Sequence, residues 1–305
     1  MKRTPEAGSI RVANASRGAR NGTLDLLRFA AAIAIVLFHA KAPGGWLVTP
    51  ALTLFTVILT YQAGVAAERP FGLMLRQRSD RLLRPFAIWV TIYGLLRLAD
   101  GGFDLAALRS WLPPEGTMHQ LWFLPFGFVI SISVAAGARR LRALGPVAGA
   151  VLPIAAGALL AAFYTTLTLP PGLSVFLDYL PPACFGLALA ALGPAQMPFV
   201  SAAGVALVLA LGGAGIETEM LVGQFLIGLP LTVLALLVPL PPSRLTLWCA
   251  DRSIAVYLVH PLVLSVVLRL TGLQAGAMLG LLVIVLSVAL SEAIYRLPRL
   301  SRLLF

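Results

Sequence analysis

Between residues 24 and 297 the chain reads as long apolar runs separated by short polar junctions. Each run is close to the roughly 20 residues that a helix needs to cross a hydrocarbon core. The runs lie near 24–40, 46–66, 83–98, 119–137, 146–164, 173–192, 198–215, 220–240, 253–270 and 275–297. Proline and glycine mark nearly every junction, as in Pro43-Gly44-Gly45, Pro113-Pro114, Pro170-Pro171-Gly172 and Pro239 to Pro242. These residues break regular structure, so the pattern predicts helices joined by tight turns. The expected fold is an all-α integral membrane protein, a bundle of about ten transmembrane helices.

Composition agrees. Hydrophobic residues make up 59% of the chain and charged ones 11%, with a mean hydropathy of +0.91. So few charges cannot clothe a soluble surface. The first run could pass for a signal peptide, since Ala40-Lys41-Ala42 has the small-x-small look of a cleavage site. Asp25 and Arg28 interrupt its apolar region and many spans follow, which favours a retained helix.

Charge adds an orientation. The formal charge is +11, but the cations sit at alternate helix ends and form no single basic face, so no nucleic-acid partner is expected. Residues 1–23 form a polar, basic tail with Lys2, Arg3, Arg11, Arg17 and Arg20 against Glu6. With that tail inside, all but four of the 23 Lys and Arg fall on the inner side, the exceptions being Lys41, Arg97, Arg109 and Arg269. The positive-inside rule then places both termini in the cytoplasm. Cys184 and Cys249 lie in or beside separate apolar stretches. Neither a disulfide nor thiol chemistry is expected of them, and no metal-ligand spacing appears.

Polar groups within spans are costly, about 2.5–3.5 kcal/mol for a central Arg or Asp on insertion scales. The first span carries three: Asp25, Arg28 and His39. His39 follows Arg28 by eleven positions, three helical turns plus roughly 20°, so both leave one face about 16 Å apart. Asp25 and Arg28 can pair on that face. The bland reading puts Asp25 and Arg28 at the inner headgroups and His39 at the outer helix end. The chemical reading makes His39, one of three histidines, a proton acceptor near neutral pH.

The run Arg76-Gln77-Arg78-Ser79-Asp80-Arg81-Leu82-Leu83-Arg84-Pro85 reads as a cytoplasmic loop entering a helix. It suits an anchor on anionic lipid or a clamp on phosphates, for which arginine offers planar paired donors. Three further segments mix polar and aromatic residues: His119 to Pro125, Asp178 to Pro182, and Ser253 to Pro261. Their Trp and Tyr suit interfacial belts, and His260 before Pro261 suits helix packing.

Taken in order, these segments resemble the acyltransferase-3 family of bacterial membrane O-acyltransferases. Leu24 to His39 resembles its opening arginine, ten residues and histidine. Arg81-Leu82-Leu83-Arg84 resembles its basic motif and Leu121-Trp122-Phe123-Leu124 its Trp-Phe-Leu segment. Tyr257-Leu258-Val259-His260-Pro261-Leu262 resembles a late motif, and Leu297-Pro298-Arg299-Leu300 its tail. The resemblance implies a transmembrane acyltransferase domain over residues 24–300, in the bacterial cytoplasmic (inner) membrane. It implies transfer of an acyl group, commonly acetyl, from cytoplasmic acyl-CoA as co-substrate to a hydroxyl of a surface glycan, a lipid-linked precursor or a small metabolite. By the same resemblance, His39 is the general base, Arg28 its partner in the site, and Arg78, Arg81 and Arg84 hold the CoA. A transporter or flippase of glycan or lipid precursors is the rival reading. It calls for an inverted repeat with broken helices at matching places, and no such symmetry is seen. A scaffold would have no use for Arg and His on one face of a span.

The charge asymmetry yields a direct test of orientation. Cysteines placed at Arg11 and Arg302 should be protected from impermeant thiol reagents in intact cells, and labelling at either position would refute the ten-span, both-termini-inside arrangement.

Overall fold

Asn21 sets where the first helix begins. Its side-chain oxygen accepts from the backbone N–H of Thr23 at 2.9 Å and Leu24 at 3.4 Å, satisfying donors that a helix start leaves open. Helix α1 therefore runs Gly22–His39, two residues ahead of the expected boundary. Asn21 and Thr23, assigned to the tail on sequence, also anchor α1 to a later helix end, donating to the carbonyls of Ala235 at 2.7 Å and Val238 at 2.6 Å.

The computed structural model describes residues 20–99, 118–164, 171–216 and 218–305. Lys2, Arg3, Arg11 and Arg17, together with Arg109 and Pro113-Pro114, lie outside them. Among the described residues ten helical segments are long and apolar enough to cross a membrane, and there is no strand. After α1 come α2 (Val48–Val65), α3 (Phe71–Ala99), α4 (Phe123–Ala143) and α5 (Pro146–Tyr164). The rest are α6 (Ser174–Ala191), α7 (Met197–Gly213), α8 (Glu219–Leu237), α9 (Arg244–Thr271) and α10 (Ala277–Tyr295). A short α11 (Pro298–Leu304) closes the chain.

Two boundaries differ instructively from the sequence reading. The expected arginine loop at 76–84 is helical, because α3 continues through a π turn over Ser79–Leu83. Pro85 has no N–H for the carbonyl four residues back, and the widened turn just ahead of it takes up that defect. A second π turn, Val222–Gly228, stands in the same relation to Pro230 in α8. Helix α9 begins nine residues before the expected 253, capped reciprocally by Ser243 and Thr246. Its charged Arg252 is tolerated there because Glu292 of α10 accepts from Nε at 3.0 Å and Nη2 at 2.8 Å, while the guanidinium lies 3.7 Å over the ring of Tyr295. Glu292 also accepts from the indole of Trp248 at 3.2 Å, so this network ties α9 to α10.

Helix α1 packs on α2 to one side and on α9 and α10 to the other; α6 packs on α2 and α5. One apolar cluster joins α1, α2, α3, the start of α4 and α9, a second joins α2, α5, α6, α7 and α8, and a third joins α1, α9 and α10. The arginines of α4 hold a helix end. Arg139 donates to the carbonyls of Ala67 and Arg69 at 2.5 Å each, and Arg142 to the carbonyl of Gly64 at 2.6 Å and to Glu68 at 2.8 Å. Cations there satisfy the open carbonyls where α2 stops.

Helices α2 and α6 meet at small residues. Thr53, Thr56 and Thr60 turn their hydroxyls back onto carbonyls of α2 at 2.9 Å, leaving no polar group bare against the neighbour. A Cβ on Gly186 would lie 2.0 Å from Thr60 Oγ1 and 2.7 Å from the Val57 carbonyl, and one on Gly64 2.6 Å from the Ala190 Cβ. Such close backbone approach is how helices associate where lipid offers no hydrophobic driving force. Gly186→Ala should therefore destabilise the protein by about 1–3 kcal/mol, seen as a melting midpoint in detergent lowered by several degrees; an unchanged midpoint would show that α6 does not bear on α2 this closely.

Candidate active site

The two ends of α1 open onto different cavities. At its first turn lies a cavity of about 840 Å³, within the range of small-molecule and cofactor sites. Asp25 and Arg28 reach it from α1, Arg20 from just before that helix, Arg78 and Arg81 from α3, Tyr61 and Gln62 from α2. Four arginines thus face two carboxylates, Asp25 and Asp251. Asp25, 2% exposed, accepts from Arg20 Nε at 2.6 Å and Arg28 Nη1 at 3.3 Å. Arg78 and Arg81 pair with no carboxylate among the described residues, yet both stand close enough to Arg28 to act on its charge or be acted on by it. Cations held together with too few counter-charges make an anion-binding surface.

The far wall of this cavity comes from the chain's last residues. Trp89 of α3 donates its indole N–H to the Leu304 carbonyl at 3.1 Å. That holds Phe305 stacked between Trp89, 6.5 Å away, and Tyr295, 5.4 Å away. Arg20, just before α1, and Phe305 line the same cavity, so the two ends of the described bundle meet at one face.

His39 is the last residue of α1 and is half-buried. Its ring centroid lies 5.2 Å from that of His260 in α9. His260 is fully buried, and its placement follows from Pro261. The proline offers no N–H to the carbonyl of Tyr257, four residues back. The Nδ1 of His260 takes that carbonyl at 2.8 Å and the Val256 carbonyl at 3.2 Å. Tyr93 of α3 donates to the next carbonyl, Leu258, at 2.7 Å, and the hydroxyl of Tyr257 donates to the Gln120 carbonyl. Carbonyls only accept, so Nδ1 carries the proton and Nε2 is a bare lone pair. That Nε2 is buried without a hydrogen-bond partner among the described residues, a condition costing about 1–3 kcal/mol.

A second cavity, of about 960 Å³, opens at this end. Phe38, Trp46, Thr49, Asp178 and Glu219 are among its lining residues. Both cavities are walled in part by a π turn: Arg81 and Leu82 at the first, Val222, Gly223 and Ile227 at the second.

Of the residues singled out from sequence, Arg28, Arg78 and Arg81 come together and His39 ends the same helix. Arg84 does not join them. It is exposed and outside the cavity lining, because the extra residue in the π turn shifts it off the helix face that carries Arg78 and Arg81. The side chain of His119 lies outside the described ones. Trp122, Tyr179 and Tyr257, suited on sequence to interfacial belts, are instead buried to 4%, 4% and 3% exposure. Trp122 and Tyr179 stack at 5.6 Å, which brings two of the mixed polar-aromatic segments into one core. His260, read as a packing residue, proves to be in ring contact with His39. No local signal in the sequence announces that contact, since 220 residues of chain lie between the two histidines in a bundle whose packing order is not written in its hydropathy.

A family model described as an acyltransferase domain, that of the acyltransferase-3 family, matches residues 21–296. The chain belongs to that family. No curated protein and no solved structure matches it. The matched region of this acyltransferase starts at the Asn21 cap and ends just past Tyr295, and so holds every cavity residue named above except Arg20 and Phe305. It also contains both histidines that meet at the far end of α1.

Proposed function

We propose that the protein transfers an acyl group from acyl-CoA to a hydroxyl, with donor and acceptor arriving at opposite ends of α1. The observation that carries this reading is the 840 Å³ cavity in which Arg28, Arg78 and Arg81 gather beside an already paired Asp25. Coenzyme A presents a 3′-phosphate and a pyrophosphate, and arginine binds such groups through paired, charge-assisted hydrogen bonds. The cytoplasmic side is then the side of Arg20 and Phe305, in agreement with the distribution of Lys and Arg, and the bilayer is the bacterial inner membrane.

The reacting carbon has to reach His39, about 16 Å further along α1. Arg28 is too far away to bond the imidazole and acts on the donor instead, while the flexible pantetheine arm spans the distance to His39. The acceptor hydroxyl attacks the thioester carbonyl as neutral His39 takes its proton. The new carbon–oxygen bond forms, the carbon–sulfur bond breaks, and the proton on His39 passes to the departing CoA thiolate. A positioned base of this kind contributes about 10²–10⁴-fold. The cavity at the His39 end suits a hydroxylated acceptor, since Asp178, Glu219 and Thr49 offer hydrogen-bond acceptors and Trp46 and Phe38 offer apolar faces. Sugars of a surface polysaccharide or of a lipid-linked precursor, and small polyols, share that chemistry; acetyl is the expected acyl group and O-acetylation the expected outcome.

Two sets of variants test the reading in purified protein. Arg78→Ala and Arg81→Ala should each raise KM for acetyl-CoA by about 10- to 100-fold, the loss of one charged hydrogen bond, whereas Arg84→Ala should leave it unchanged. An acyl-pantetheine without phosphates should be used equally by all three and by wild type. Equal acetyl-CoA saturation in stable Arg81→Ala protein would return the arginines to a lipid-anchoring role.

His39→Ala should fold and bind the donor but lose at least about 10²-fold in kcat, with KM for the donor little changed. A stable His39→Ala protein transferring at the wild-type rate would refute the mechanism.

A further inference from the structure

The buried face of α9 holds a group that the reaction as described does not use. His260 has one ring nitrogen committed to the carbonyls of Tyr257 and Val256 and the other bare and buried, in ring contact with His39. If capping the carbonyl freed by Pro261 were its whole task, an asparagine amide would serve, and no lone pair would be left buried beside a second imidazole. An imidazole can act as a base at one nitrogen only when the other keeps its proton, and that N–H needs an acceptor to fix the ring's tautomer and direction.

We infer that His260 is a positioning residue for the transfer reaction, its Nε2, which accepts no hydrogen bond among the described residues, taking the N–H of the neighbouring His39 ring once the substrates are bound and so turning the unprotonated nitrogen of His39 toward the acceptor hydroxyl. This rests on the reading of His39 as the base. The order of constraint runs from backbone to chemistry: Pro261 removes a donor, His260 Nδ1–H replaces it, and that bond leaves Nε2 as the acceptor. When His39 takes the proton from the hydroxyl, both its nitrogens carry hydrogen. The bond to His260 then joins a cation to a neutral acceptor and strengthens, until the proton leaves with the CoA thiolate. His260 itself neither gains nor loses a proton. The roles of base and orienting group are thus divided between α1 and α9, two helices that already pack along their length.

The test separates capping from positioning with two isosteres. His260→Asn keeps an N–H where Nδ1 stood and has no acceptor where Nε2 stood; His260→Gln places an amide oxygen there. Each purified full-length variant is assayed with acetyl-CoA and a panel of methyl glycosides, reading thiol release and acetylated product, beside wild type and His39→Ala. The expected result is a kcat about 10- to 100-fold down in His260→Asn, with KM for acetyl-CoA and the melting midpoint near wild type, and most of that kcat restored in His260→Gln. A stable His260→Asn with wild-type kcat overturns the inference, as does a stable His260→Gln no faster than His260→Asn. Should His39→Ala retain wild-type kcat, it is the reading of His39 that fails, whatever the His260 variants do, so the two failures are distinguishable.

Discussion

A membrane helix carrying Asp25, Arg28 and His39 cannot turn that face to lipid, and this exclusion arranges the rest of the bundle. Helix α1 is enclosed by α2, α9 and α10, and its polar residues are met at one end by arginines from α3 and at the other by a histidine from α9. Asp25 shows the same constraint locally: at 2% exposure it is held by two guanidinium groups, one from its own helix and one from the residue before the Asn21 cap.

Proline supplies a second set of constraints. In a bilayer a freed backbone carbonyl has no water to turn to, so each proline inside a helix has to be answered by protein. Pro85 and Pro230 are answered by π turns just ahead of them. Around Pro261 the answer is a pair of side-chain donors, His260 Nδ1 and the Tyr93 hydroxyl. All three places border the cavities or the histidine pair. Interrupted helices leave the room that a continuous helix would fill, and π turns recur at functional sites for that reason.

The arginines counted together as positive-inside residues divide into distinct groups once folded. Arg139 and Arg142 finish the end of α2, and Arg252 locks α9 to α10 through Glu292. Arg28, Arg78 and Arg81 point their charge at a cavity. The rule that orients a membrane protein sums over cations at helix ends and is blind to this division, because it depends on where each guanidinium finds an acceptor.

The amino-acid sequence by itself determined the class of the protein, the number of its spans and most of their limits, because bilayer thickness and the cost of polar groups in hydrocarbon act on each segment independently of its neighbours. It also determined that Arg28 and His39 share a face, a consequence of helical spacing alone. Only the tertiary structure decided that α3 runs through the arginine segment as a π turn, that Arg84 leaves the face of Arg78 and Arg81, that Trp122 and Tyr179 belong to a core, and that His260 sits against His39. Those outcomes depend on which helices are neighbours. Apolar helices in lipid choose their neighbours by close packing of small residues and by hydrogen bonds between distant segments, and neither leaves a mark in the hydropathy of the chain.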